Sequence, residues 1–292
     1  MEKLSIPAFT FATKTYCLLM KPGIIFGNVI TTAGGFALAS KGHFNIWLFF
    51  ITLMGISLVI ASACVFNNYI DRDHDKKMNR TKNRALALGI ISSQRAILFA
   101  IALVAAGVYL LAFFANLLTV MIALFGFFVY VFLYSFSKYR SVHGTLIGSV
   151  AGAVPPVVGY CAVSNQLDLG AIIFFVMLAM WQMPHFFAIA IYRIEDYTAA
   201  SIPILPIKKG VPKAKIHMLL YICAFMAISS LLTIFGYTGY AYLAAVALLG
   251  IAWLWLCIRG FKCENDQVWA RKMFALSLVV VMGLCIMIPF ST

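Results

Sequence analysis

Charge is scarce in this sequence. Only 11% of its 292 residues are Asp, Glu, Lys or Arg, and just nine are acidic. Soluble domains carry about a quarter charged residues, so an aqueous fold is excluded. Cysteine is present without pattern. Cys17, Cys64, Cys161, Cys223, Cys257, Cys263 and Cys285 are scattered, mostly within apolar runs. No C-x-x-C or Cys/His spacing points to zinc or to a disulfide framework, which leaves them as small packing residues. A Walker loop and a dinucleotide glycine fingerprint are also missing.

What the chain has instead is hydrophobicity, 63% apolar residues with a mean hydropathy of +0.97. Its solvent is a lipid bilayer. A helical span needs about 20 mainly apolar residues, and interruptions by charge divide the chain into nine runs: 22–40, 44–70, 95–115, 117–136, 144–162, 168–192, 215–235, 239–259 and 272–290. The fold class is therefore all-α, a polytopic membrane protein, and residues 1–292 read as one membrane-embedded domain. The first run follows Lys3, Lys14 and Lys21 and resembles a signal peptide in its flanks, but it lacks the short core of one and counts as the first span.

Basic residues test this count, because cytoplasmic loops carry them. With the N-terminus in the cytoplasm, every Lys and Arg except Lys41 falls inside. The C-terminus then lies on the non-cytoplasmic side. The net charge of +13 reflects topology and calls for no nucleic-acid partner.

Three of the nine acids fall in NNYIDRDHD at the inner end of the second span. Asn67, Asp71 and Asp75 are four apart, and on a helix each such step turns the face by only about 40°. All three side chains share one face, while Asp73 points elsewhere. Crowded carboxylates repel unless a divalent cation neutralises them, and an oxygen-only donor set suits Mg²⁺ completed by phosphate oxygens. Arg72, Lys76, Lys77, Arg80, Lys82 and Arg84 follow at once. They read either as diphosphate ligands or as a solvated positive-inside loop.

A second acidic site closes WQMPHFFAIAIYRIEDY after the sixth span. If the helix persists, His185, Tyr192 and Asp196 lie within about 20° of one face and form a polar stripe. His185 sits well inside the membrane, where an ionisable group is a functional candidate. The other reading, for it and for Gln182, is a neutral group bonded to another helix. His143 beside Lys138 and Arg140 reads as structural or solvated, and His43, His74 and His217 as solvated. In the fifth span Gly144, Gly148 and Gly152 recur every four residues before Pro155 and Pro156, either for tight packing or to line a cavity. Asp71 and Asp196 each follow an even-numbered span, four spans apart, which suggests two related halves facing a shared cavity.

N-x-x-x-D-x-x-x-D with a second acidic loop after the sixth span resembles the UbiA-type intramembrane prenyltransferases. KPGIIFGN, CVFNNYIDRDHDKKMNRTKNR, PPVVGYCAV, WQMPHFFAIAIYRIEDY and SIPILP resemble one branch of them, the protohaem farnesyltransferases. The likeness covers essentially the whole chain, with one departure: Tyr192 stands where the wider family would place another acid. The resemblance implies the UbiA-type fold, farnesyl diphosphate and haem b as substrates, Mg²⁺ as cofactor, and a cell inner membrane shared with haem-copper oxidase assembly or haem-modifying enzymes. It implies catalytic roles for Asp71, Asp75, Asp196, Tyr192 and His185, and metal binding by Asn67, Asp71, Asp75 and Asp196. Diphosphate or haem propionate would be held by Asn67, Arg72, Lys76, Arg80, Lys82, Arg84, Lys138, Arg140 and Arg193. A quinone-precursor prenyltransferase shares this chemistry. A transporter or haem carrier would place its charges near the bilayer midplane, whereas the acids here cluster at helix ends.

Overall fold

In hydrocarbon every backbone N–H and C=O must be satisfied internally, and a helix does this within one segment. The computed structural model describes residues 8–291, with side chains from Thr13 onward. Lys3 and Thr292, on which parts of the topology and domain readings fall, lie outside the described residues. Among these residues there is no strand, and nine helices are long and apolar enough to cross a membrane. A short helix α1 (Ala8–Leu19) precedes them. The spans are α2 (Pro22–Ser40), α3 (Ile46–Asp75), α4 (Ser93–Phe114), α5 (Leu117–Ser137), α6 (Gly144–Ser164), α7 (Leu169–Tyr192), α10 (Val211–Ile234), α11 (Tyr240–Lys262) and α12 (Asp266–Phe290). Two short helices, α8 (Ile194–Ala199) and α9 (Leu205–Lys209), lie between α7 and α10.

Helix starts follow local chemistry. The side chains of Asn45, Ser92, Asn116, Asp168 and Asn265 each accept a hydrogen bond from the backbone N–H three residues on, satisfying one of the unpaired donors of a first turn. All nine expected spans are present, but charged ends shift their bounds. Helix α3 runs five residues past the expected 70, and α12 starts at Asp266 rather than 272. Treating charge as an interruption fails where the charge is paired. Lys215, expected at a span edge, is buried and donates to the Gly260 carbonyl at 2.6 Å and to Asp266 at 2.5 Å, tying α10, α11 and α12 together.

Helices α6 and α7 form the centre. Within their membrane windows 72% and 67% of residues are buried, against 17% for α4 on the rim. Helix α6 packs on α2, α5 and α7, and α7 packs on α10 and α12. The α2–α6 contact is backbone to backbone: a Cβ on Gly35 would stand 1.9 Å from the Pro156 carbonyl oxygen, and one on Gly159 would stand 2.1 Å from the Thr32 carbonyl oxygen. Small residues permit this approach. Pro155 and Pro156 do not break α6, which stays helical through both.

Gly35→Ala should therefore separate the two helices at a point where neither backbone can yield. An overpacking cost of about 1–3 kcal/mol should appear as a lower thermal midpoint of the purified protein in detergent. Gly27→Ala on the same helix, where an added Cβ meets nothing within 4 Å, should leave the midpoint in place.

Candidate active site

The site begins on one face of α3. Asn67, Asp71 and Asp75 are 3%, 6% and 1% exposed, and all three line a chamber of about 930 Å³ that opens among the helices. Two carboxylates at this depth need counter-charge, and each finds one cation. Arg84 Nη1 donates to both Asp75 oxygens, at 2.8 and 3.0 Å. Lys138 Nζ bonds Asp71 Oδ2, and the Tyr139 hydroxyl donates to Asp71 Oδ1 at 2.7 Å. Asn67 Oδ1 accepts from Lys21 Nζ at 2.6 Å.

Each cation is delivered by a different segment. Lys21 occupies the turn between α1 and α2 with φ 55° and ψ 68°, a left-handed conformation that costs a non-glycine residue about 1–2 kcal/mol. Lys138 follows α5, and Gly144 lets it come close: a Cβ there would lie 2.7 Å from the Lys138 Cα. Arg84 comes from the loop after α3. Burial pulls the Lys21 ammonium down to about 8. Burial also holds Lys138 below its ordinary value, with Asp71 acting against it, and raises the Tyr139 phenol, with Asp71 adding to the effect. With Arg80 and Arg193, five bases and two acids line the chamber. The excess positive charge suits this end to an anion.

Farther in, the walls become apolar and aromatic. Helix α5 contains a π-helical stretch, Val129–Tyr134, the kind of widened turn that recurs at functional sites. Tyr130 and Tyr134 stack at 5.4 Å on its inner side. Trp181, His185, Phe186 and Phe274 form the wall from α7 and α12. Gly148 and Gly152, expected either to pack tightly or to line a cavity, do both: added Cβ atoms would meet the Tyr134 ring at 3.0 Å and Gln182 Oε1 at 2.0 Å. Gln182 Nε2 donates to the Ser149 and Leu178 carbonyls, so it links helices.

Among the expected site residues, Asn67, Asp71, Asp75, Arg80, Arg84, Lys138, His185, Tyr192 and Arg193 are brought together around this chamber. Others turn away. The expected stripe from His185 to Asp196 is interrupted, because α7 ends at Tyr192 and the chain turns at Arg193 before α8. Asp196 instead accepts from the Asn79 backbone N–H at 3.0 Å and clasps two loops. Arg72 lies over the Tyr69 ring, Lys76 pairs with Asp73, Lys82 donates to Asn79, and Arg140 lies over Phe136. His74, expected to be solvated, is half-buried and stacks on Tyr139 at 3.8 Å. Lys21, Tyr130, Tyr134 and Tyr139 had no motif to announce them, although Lys21 opens the KPG turn.

The UbiA prenyltransferase family model matches residues 28–279. The chain belongs to the UbiA prenyltransferase family. Its relatives within that family include the protoheme IX farnesyltransferase of Protochlamydia amoebophila, 57% identical over 94% of this chain and 98% of that protein. The protoheme IX farnesyltransferase of Cronobacter sakazakii is 54% identical over 94% and 93%. The fold matches that of solved structures. A digeranylgeranylglyceryl phosphate synthase superposes with a TM-score of 0.77 at 20% identity, covering 95% of this chain and 97% of that one. A UbiA homologue from Archaeoglobus fulgidus bound to GPP and Mg²⁺ gives 0.69 at 13%, covering 94% and 99%. As in any UbiA prenyltransferase, the reaction catalysed is prenyl transfer, and the chain is a multi-pass membrane enzyme.

The three acids of NNYIDRDHD should separate sharply by substitution. Asp71→Asn or Asp75→Asn removes a chamber carboxylate, and losing about 2.7–4 kcal/mol of transition-state stabilisation would slow turnover roughly 10²- to 10³-fold. Asp73 is 65% exposed and paired only with its neighbours. Asp73→Asn should keep most of the activity in the same steady-state assay.

Proposed function

We propose that this chain transfers the farnesyl group of farnesyl diphosphate to a vinyl group of haem b, giving the hydroxyethylfarnesyl side chain of haem O. The observation that carries the assignment of the reaction to this chamber is its two-ended character, with anion-binding bases at one end and an aromatic, apolar interior behind them. Along α3 it extends from Asp75 to Ile56, about 28 Å at 1.5 Å per residue, longer than an extended farnesyl chain. Its volume is at the upper end of the roughly 300–1,000 Å³ of ligand pockets, as two substrates require. The acceptor follows from the name shared by relatives above 50% identity.

The donors fit Mg²⁺. Asn67, Asp71 and Asp75 offer oxygen only, on one buried face, with Lys21, Lys138 and Arg84 already resting on those oxygens as stand-ins for positive charge. When bound there, Mg²⁺ supplies Lewis-acid stabilisation to the departing diphosphate. The chain's own residues do the rest. Lys21, Arg80, Arg84 and Lys138 bind and orient the diphosphate and neutralise the charge that grows as the carbon–oxygen bond breaks. The electron pair leaves with diphosphate. Tyr130 and Tyr134 present ring faces to the allylic cation, and the apolar walls keep water from it.

The vinyl π electrons then form the new carbon–carbon bond. The cation left beside the porphyrin ring takes up water and loses a proton, so farnesyl diphosphate, haem b and water give haem O and diphosphate. His185 and Tyr192 serve this acceptor end. Arg193 lines the chamber with its buried Nε unpartnered among the described residues, which suits a haem propionate. Asp196 contributes through the roof, by holding the loop after α3 against the loop after α7. The basic loops face the cytoplasm, the C-terminus faces outward, and the inner membrane places the product beside haem-modifying enzymes and haem-copper oxidase assembly.

Purified protein given haem b, Mg²⁺ and farnesyl diphosphate should yield haem O by mass spectrometry. A prenylated quinone precursor with haem unmodified would contradict the acceptor. Topology has its own check: a reporter fused after Thr292 should report the non-cytoplasmic side, and one in the loop after Asp196 the cytoplasm. Two fusions on one side would contradict the orientation.

A further inference from the structure

Ser277 lies in the middle of α12 and is fully buried. Its hydroxyl oxygen stands 2.7 Å from His185 Nδ1 and 2.6 Å from the Phe274 carbonyl oxygen. A hydroxyl has one proton and two lone pairs. The Phe274 carbonyl can only accept, so that contact takes the hydroxyl proton, the usual back-bond of a serine within a helix. A lone pair then faces the imidazole, and Nδ1 carries the ring proton. Nε2 is left with its lone pair free.

The ring is also held in place. Trp181 stacks on it at 4.8 Å, and Phe274 lies tilted against it at 4.9 Å. The Trp181 indole N–H donates to the Ser277 carbonyl at 2.8 Å, so α7 and α12 are pinned together where the imidazole sits. His185 lines the chamber, and Nε2 makes no hydrogen bond among the described residues. It lies seven residues inside the end of α7, about 10 Å along the helix from Tyr192. That is too deep to serve the anion.

We propose that Ser277 is a positioning residue that holds His185 in the Nδ1–H tautomer, so that the Nε2 lone pair stands in the chamber as an axial ligand for the iron of the porphyrin substrate. Ligating histidines characteristically donate their other ring N–H to a fixed acceptor, which sets the tautomer and the ring orientation. Here the acceptor is a hydroxyl whose own proton is committed elsewhere. Iron ligation would hold the porphyrin at a set depth, with its vinyl edge presented to the prenyl cation. The inference rests on haem as the acceptor, and the test separates the two.

The full-length protein in detergent is titrated with ferric haem b and with metal-free protoporphyrin IX, while farnesyl diphosphate affinity reports folding. Wild type should prefer haem and show the Soret and electron-spin signature of nitrogen-ligated iron. His185→Ala should lose both the preference and the signature. Ser277→Ala should weaken haem binding about 10- to 100-fold and change the signature, with protoporphyrin and farnesyl diphosphate affinities kept. Ser277→Thr, which retains the hydroxyl, should restore it. Ser277→Cys, nearly isosteric but a poor acceptor, should resemble Ser277→Ala without opening a cavity. A wild-type signature in both Ser277→Ala and Ser277→Cys overturns the role of Ser277, and one in His185→Ala overturns the ligation. Equal affinity of wild type for both porphyrins overturns iron ligation while haem stands as acceptor. Binding of neither porphyrin removes the acceptor reading itself.

Discussion

Two carboxylates buried on one face of α3 set the terms for this molecule. Buried carboxylates need counter-charge, and Asp71 and Asp75 are each met by one cation from a separate segment: Lys138 from the end of α5 and Arg84 from the loop after α3. Removing one partner of such a pair costs about 3–5 kcal/mol, because the other charge is left buried. The pairs thus hold α3 helical through Asp75 and fix where two loops return. Tyr139, bonded to Asp71 and stacked on His74, couples the same carboxylate to the roof, where Met78, Ala200 and Ile202 pack into a small apolar cluster.

The chamber beneath that roof exists because the rest of the protein is packed so closely. Helix α2 meets α6 backbone to backbone at Gly35 and Gly159, and α6 and α7 are buried on most of their surface. The unfilled volume is lined by α2, α3, α5, α6, α7 and α12. Its polarity changes along its length, from paired charges at the basic end to Tyr130, Trp181 and Phe274 within. This gradient lets one space hold a highly charged leaving group and a carbocation without mixing the two environments.

Much of this was legible in the sequence for clear physical reasons. Hydropathy gives spans because lipid forces every segment into a helix, and four-residue spacing places Asn67, Asp71 and Asp75 on one face whatever surrounds them. Reading failed where tertiary contacts decide. Charge at a span end looks like a boundary, yet Asp75 and Lys215 are buried because distant residues neutralise them. Extrapolating the stripe from His185 to Asp196 assumed a continuous helix, and the turn at Arg193 breaks it. The six bases after Asp71 were indistinguishable by spacing, and only packing separates Arg80 and Arg84, which line the chamber, from Arg72, Lys76 and Lys82. Lys21 lies too far along the chain from Asn67 for any local pattern to connect them.

In the proposed reaction Lys21, Lys138 and Arg84 hold the carboxylate face until a metal and a diphosphate arrive together, so that the two ligands bind as one. Isothermal titration of the haem-free protein with farnesyl diphosphate, with Mg²⁺ or with a chelator, measures this directly. Binding should be at least about tenfold tighter with Mg²⁺, a difference of about 1.4 kcal/mol, while Mg²⁺ alone gives little heat. Equal farnesyl diphosphate affinity with and without the metal would contradict joint binding of metal and diphosphate.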